Sequence, residues 1–415
     1  NTTGSYNVAT GMSALENNTT GAGNTAHGYE ALKANTTGGS NTASGYRALT
    51  ANTTGTRNLA IGYSAYDGAD TENDNLAIGF AALGGSIAGG IKNIAIGNYS
   101  LDANTSGDNN VSVGYEALTD NTTGNYNTAT GSWALNKNLG GNLNTAIGEE
   151  ALEANESGDW NTAIGSQALE ANVSGDGNTA IGSEALQANT ASYNTAIGSW
   201  ALEANTSGSG NTTIGSESLK VSTGNSNTAI GNEAGKATTT GDNNVFVGSD
   251  AGDSNTTGEK NIIIGSGSDV GSTDGLSPIT NRIVIGYGAL GQGDNTAVIG
   301  NTDITAWLPP DDDGVDLGSS SLEFDDLHVD GTAFLDAIGF GTVVMELPTA
   351  DGSADQVLKT DGSGNLDWVD SGSGASAIDG LSDGKSGGTD FTGSMILGHQ
   401  NTGTLDAAQY NTAVG

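Results

Sequence analysis

Six glutamates occupy one recurring place in this sequence. Glu30, Glu116, Glu150, Glu184, Glu217 and Glu233 each stand two residues after a repeated glycine. A column of carboxylates is chemistry for cations. The same place also holds Arg47, Gln167 and Trp200, so the favoured reading is an outward position open to any polar side chain. A second recurring chemistry is N-x-S/T, which begins at Asn18, Asn35, Asn52, Asn104, Asn121, Asn155, Asn172 and Asn205. These asparagines could accept glycans. The favoured reading is that each is there to make a turn.

His27 could meet its own copies around a threefold axis and hold a metal or an anion. It has no acidic supporters nearby, so a polar filler is favoured. Asp311, Asp312, Asp313 and Asp316 share only acidity with a Ca²⁺ loop, and a solvated turn is the better reading. Trp133, Trp160 and Trp200 fall outside the apolar pattern. Two readings stay open for them: exposed rings that stack on receptor sugars, or rings that pack between chains. No nucleophile elbow, H-E-x-x-H or P-loop is present, and a chance carboxylate pair among so many acids proves little. We expect no enzyme, no cofactor and no metal.

The elements that position these residues follow from one unit. Asn161–Gly177 reads NTAIGSQALEANVSGDG, and Asn178 begins it again. The core N-x-A-x-G starts at Asn7, Asn24, Asn41, Asn58, Asn75, Asn93, Asn110, Asn127, Asn144, Asn161, Asn178, Asn194, Asn211, Asn227, Asn244 and Asn261. Successive differences are 17 throughout, except 18 from Asn75 to Asn93 and 16 from Asn178 to Asn194 and from Asn211 to Asn227. A short fixed period marks a solenoid, in which each unit buries its apolar face against its neighbours. The unit reads as two short strands and two turns. One strand is Thr162–Ala163–Ile164 and the other lies around Ala168–Leu169. Alternation puts Ala163 on one face and Thr162 and Ile164 on the other. Both faces are regular, so the second face is expected to meet a partner, most simply the same chain around a symmetry axis.

The chain holds 415 residues with 67 Gly, no Cys and a net charge of −37. Without Cys there is neither disulfide stapling nor a thiolate metal site. The 11 Lys and Arg disfavour nucleic acid and anionic membranes as partners. No run of about 18 apolar residues exists to span a bilayer. The chain opens in NTTGSYNVATG and closes in NTAVG, both inside repeats, so we read it as a segment of a longer polypeptide.

NTAIGSEAL (178–186), NLAIGYSAY (58–66) and NNVSVGYEAL (109–118) resemble the head repeats of YadA-type trimeric adhesins, whose relatives occur in phage tail fibres. The resemblance covers residues 1 to about 300. It implies an all-β, left-handed parallel β-roll of three chains side by side. The period departs from that family, whose repeat is a few residues shorter; the extra length lies in the second turn. Residues 342–370 (TVVMELPTADGSADQVLKTDGSGNLDWVD) resemble a segment of phage tail-fibre and related virion appendage proteins.

Four regions follow. Residues 1–300 form a β-roll (β-solenoid), and 301–370 a small β-rich module with a hairpin turning at Asp361–Gly364. Residues 371–400, rich in Gly, Ser and Asp, read as a linker, and 401–415 start a second roll. Sixteen coils at about 4.8 Å each give a rod of about 75–80 Å. The expectation is a homotrimeric structural fibre, a virion tail fibre that attaches to a host glycan or protein receptor. A bacterial surface adhesin or extracellular filament is the alternative, and a polysaccharide depolymerase a third.

Overall fold

The computed structural model describes residues 2–304 except 69–70, 86–89 and 272–278. Beyond these it describes Ser353 and seven short strands. The Asp311–Asp316 cluster lies outside the described residues. The chain divides into two units, Asn1–Leu308 and Pro309–Gly415.

The first unit is a parallel β-solenoid. Eighteen three-residue strands, from β1 (Val8–Thr10) to β18 (Ala297–Ile299), form a single sheet. Each strand pairs in parallel with the next in sequence. Thr162, Ala163 and Ile164 sit beside Thr179, Ala180 and Ile181, for example. No helix occurs among the described residues. Counting each coil from its core Asn as position 1, the position-3 alanines from Ala26 to Ala229 are fully buried, while Ala9 in the first coil is exposed. The position-2 and position-4 residues are partly exposed, with Ile164 at 36% and Ile147 at 41%. The expected alternation is therefore present.

The second expected strand is not. Ala168 and Leu169 are buried but lie in a turn. Gln167 and Leu169 both adopt left-handed backbone, φ 58° and 54°, which no β-strand accommodates. Almost every coil repeats this pair. Left-handed Leu is costly, about 1–2 kcal/mol. The conformation persists because it turns Leu169 into the core, where burial returns about 1.5–3 kcal/mol. It also keeps the amides bonded in both directions: Gln167 N donates back to Glu149 O (2.8 Å) and Leu169 N forward to Ala185 O (3.0 Å).

A core lined by Ala and one Leu per coil buries little apolar area, so hydrogen-bond ladders matter. Two are built from buried asparagine. At position 1, Asn161 Nδ2 donates to Gly175 O (2.8 Å), and its Oδ1 accepts from Asn178 N (2.9 Å). At position 12, Asn155 Nδ2 donates to Asn138 Oδ1 (2.8 Å) and to Gly158 O (3.1 Å). The ladder breaks where the period shortens. Asn189, in a 16-residue coil, turns its Nδ2 to Ala191 O (2.7 Å) and leaves Asn172 Oδ1 buried without a partner.

Glycine at position 5 is enforced by the stacking distance. Gly165 has φ 140°, and a Cβ there would lie 2.4 Å from Gly182 O. The core also trades volume between coils. Phe246 takes the place of Ala at position 3, while Gly235 and Gly252 take the place of Leu at position 9 on either side. A Cβ on Gly252 would be 2.2 Å from the Phe246 ring. At the far end Arg282 replaces the position-1 Asn. Its amide still donates to Asn261 Oδ1 (2.9 Å), and its guanidinium donates to Val270 O (2.6 Å) and Asp294 Oδ1 (3.0 Å).

In the second unit, Ala337–Phe340 pairs with Val343–Glu346, and Gln356–Thr360 with Leu366–Asp370, both antiparallel. The second pair is the hairpin expected around Leu366 and Trp368. The 371–400 segment is not free of strands: Gly384–Ser386 and Met395–Leu397 lie within it. Met395–Leu397 runs parallel to Thr412–Val414 with Met395 beside Thr412. That offset is the repeat's own 17 residues, so roll-like pairing resumes near residue 395 and not at 401.

Candidate functional site: side-chain ranks along the coil edges

Because consecutive coils stack in register, any coil position becomes a rank of side chains running along the solenoid. The chemistry-bearing residues fall on two edges, one at positions 6 and 7 and the other at positions 16 and 17.

On the first edge stands an aromatic ladder that the sequence reading did not anticipate. Tyr29, Tyr46, Tyr63 and Phe80 stack face to face with centroids 5.0, 4.8 and 5.2 Å apart. Tyr99, Tyr115 and Trp133 continue it edge to face. The signal was present as Tyr at 29, 46 and 63, a 17-residue spacing. Trp133 is the last rung, and its Nε1 donates to Glu116 Oε2 (2.9 Å). Trp200 shares this edge further along and lies beneath Lys220, whose Nζ is 5.2 Å from the ring centroid. Trp160 is on the other edge and 62% exposed. The three tryptophans therefore do not form one site.

The glutamate column is a mixed ladder. Glu30 accepts from Lys33 (2.7 Å), and Glu150 from Gln167 Nε2 (2.7 Å). Glu217 and Glu233 share Lys236 at 2.8 and 2.9 Å. The hydrogen bond from Lys33 holds the Glu30 carboxyl below its usual range, and that from Lys236 does the same for Glu217. The negative charge of Glu30 raises the neighbouring Tyr29 hydroxyl. Five of the six acids are spent on lysine, glutamine and tryptophan partners, Glu184 being the exception. Among the described residues no group of three His, Asp or Glu could hold a metal ion. His27 is an exposed strand end flanked by Thr10 and Ser44.

The N-x-S/T asparagines are the position-12 ladder. Asn35 is fully buried and already gives both Nδ2 hydrogens, to Asn18 Oδ1 (2.7 Å) and Gly38 O (3.0 Å). Such a nitrogen is unavailable for glycan attachment in the folded coil, and the turn-forming reading holds with a stronger cause.

On the second edge, position 16 carries Asp and Asn, and position 17 carries left-handed residues. Asp159 Oδ1 accepts from Asn142 N (2.6 Å), and Asp176 Oδ1 from Asp159 N (2.8 Å). Beside them stand Tyr126, Leu143, Trp160 and Tyr193, exposed by 59, 49, 62 and 70%.

A comparison with protein-family models finds no match, and a comparison with curated proteins finds none either.

Proposed function

We propose that this chain is a rod segment of a homotrimeric attachment fibre, most simply a virion tail fibre that reaches for a glycan or protein receptor on a host surface. One observation carries the reading. In a chain of net charge −37, positions 2 and 4 of all eighteen strands hold no Asp, Glu, Lys or Arg. They hold Thr, Ile, Val, Leu, Ala, Ser and one His, and many of the Ile side chains are exposed, with Ile61 at 40% and Ile214 at 42%. A continuous, uncharged, half-apolar sheet face about 80 Å long, at about 4.8 Å per coil, is a surface that sister chains would cover. Three such rods would present each edge three times, so weak receptor contacts would combine.

Light scattering on the intact chain tests this. A trimer mass is expected, and Ile181→Lys with Ile214→Lys should lower it. A wild-type monomer would refute the proposal. A bacterial trimeric adhesin would use the same face; the likeness of residues 342–370 to tail-fibre segments favours the virion. We read the chain as non-catalytic, and steady release of reducing ends from host capsule would overturn that.

A further inference from the structure

The last residue of the coil, position 17 or, in the shortened coil ending at Tyr193, its equivalent, has left-handed backbone in nearly every coil, φ 57–64° at Arg57, Asp74, Trp160, Gly177 and Tyr193. That backbone favours Gly and Asn and penalises bulky side chains. Gly23, Asn109, Gly177, Gly210 and Asn243 suit it; Tyr6, Ser40, Arg57, Asp74, Lys92, Ser226 and Lys260 also stand there on left-handed backbone. Across five successive coils the place holds Tyr126, Leu143, Trp160, Gly177 and Tyr193 in order, four apolar or aromatic side chains in five coils. These residues are in register, since each amide donates to the position-16 carbonyl one coil back, as in Trp160 N to Asn142 O (3.1 Å) and Tyr193 N to Asp176 O (2.9 Å). The four side chains are half exposed or more, so burial does not repay their backbone cost.

The arrangement has a period of its own. Ring-bearing residues occupy every second rung, at Tyr126, Trp160 and Tyr193, whose backbone rungs are about 10 Å apart at about 4.8 Å per rung. Gly177 carries no side chain on the rung between the last two, and the Tyr193 ring leans onto it: a Cβ on Gly177 would meet Tyr193 Cδ1 at 3.0 Å. Unlike the Tyr29–Phe80 ladder, whose faces are used on one another, these rings make no ring–ring contact among the described residues. Alongside run Asp159 and Asp176. Each uses Oδ1 for the ladder, and Oδ2 joins no hydrogen bond among the described residues. No Lys or Arg occurs from residue 138 to 219.

We propose that this edge binds a neutral, extended, linear polysaccharide. The proposal rests on the attachment reading above and names its ligand class and place. Ring faces stack on the apolar faces of sugar units, two units spanning each pair of rings. The free carboxylate oxygens accept from sugar hydroxyls. Anionic glycans are repelled by the carboxylates, and so is this acidic edge on a second copy.

The test is affinity electrophoresis of the full chain through gels containing glucomannan, xyloglucan, amylose or alginate. Retardation is expected with at least one of the first two and with neither amylose, which coils, nor alginate, which is charged. Trp160→Asn and Tyr193→Asn should each weaken retardation at least tenfold. Asn suits left-handed backbone, so the melting temperature should not fall. Tyr63→Ser, within the self-stacked ladder, should leave binding unchanged. The proposal is overturned if neither glucomannan nor xyloglucan retards the chain, if the double variant binds as wild type, or if oxidative footprinting without glycan finds Trp160 and Tyr193 shielded by another copy. A monomer mass would remove the fibre reading and leave this assay intact, so the two fail separately.

Discussion

Replacing Asn161 by Asp changes one N–H donor into an oxygen at the centre of the solenoid. Asn161 is fully buried; its Nδ2 lies 2.8 Å from Gly175 O, and its Oδ1 accepts from Asn178 N. In Asn161→Asp the second contact survives, while the first sets a carboxylate oxygen against a carbonyl. The ionised form is an uncompensated buried charge, which costs about 3–5 kcal/mol. The protonated form can donate to Gly175 O and should cost about 1 kcal/mol or less.

The folded-state pKa of this Asp is therefore raised above its unfolded value of about 3.9. The variant's stability relative to wild type is fully present below that value. It is lost as pH rises, by about 1.4 kcal/mol per pH unit, until the folded pKa is passed and the deficit levels off. Urea unfolding followed by circular dichroism at pH 3 and pH 7, read as variant minus wild type, measures this. In a linear stack the damage should be local. Hydrogen exchange should accelerate first in peptides covering residues 144–178. An equal deficit at both pH values, or a larger one at pH 3, would refute the ladder as the cause.

Three further outcomes follow from the packing and charge of the coils. Phe246→Ala should cost about 3–5 kcal/mol, and Gly252→Leu should also destabilise by driving a side chain into the Phe246 ring; the double variant restores the ordinary Ala and Leu pair and should be more stable than either, by chemical denaturation, so additive losses would sink the volume-exchange argument. Gly165→Ala meets both a 2.4 Å approach to Gly182 O and a φ of 140°, and should lose more than about 3 kcal/mol; Ser166→Ala next to it should be nearly neutral in the same melt. Glu217, held low first by Lys236, contributes stability above its ordinary pKa and loses it as pH falls through the lowered folded value; carboxyl NMR titration should show its midpoint move up in Lys236→Met, and an unmoved midpoint would discard the pairing.

The parallel coil was legible because its signals are local and repeated. A position-3 Ala between β-branched neighbours specifies an inward small residue, and Gly at position 5 specifies close stacking. The second strand was misread for an equally local reason. Ala168–Leu169 has an apolar strand's composition, and only the left-handed φ of Leu169 makes it a turn; nothing in the identity of Leu announces that. The position-12 asparagines were assigned to turns because Asn-x-Ser/Thr-Gly is turn chemistry. Their recurrence at one period was the signal of a buried ladder, since a solvent-facing turn would have tolerated substitutes. Trp133 and Trp160 look alike in sequence and differ in structure, because one falls at position 7 and meets Tyr115 edge to face while the other falls at position 17 and faces solvent.

That difference shows where variation is permitted in such a coil. Positions 1, 3, 5, 9, 12 and 15 are constrained by ladders, stacking distance or core volume, and a departure at one demands an answer at another, as Phe246 does with Gly252 in its own coil and Gly235 one coil back. What remains free is the strand face at positions 2 and 4 and the two edges. The face departs from the chain's composition by excluding charge over eighteen strands. The position-17 edge departs by placing Tyr126, Leu143, Trp160 and Tyr193 on backbone that disfavours them. Neither departure helps a single coil fold, and each leaves apolar surface exposed. A solenoid that needed only solubility and height would have been served by Ser, Asn or Gly in these places, as at Gly23, Ser40, Asn109 and Asn243. The side chains that contribute least to the stability of their own coil are therefore the ones that leave surfaces on offer, and it is to these that we assign the proposed sister chains and the proposed glycan.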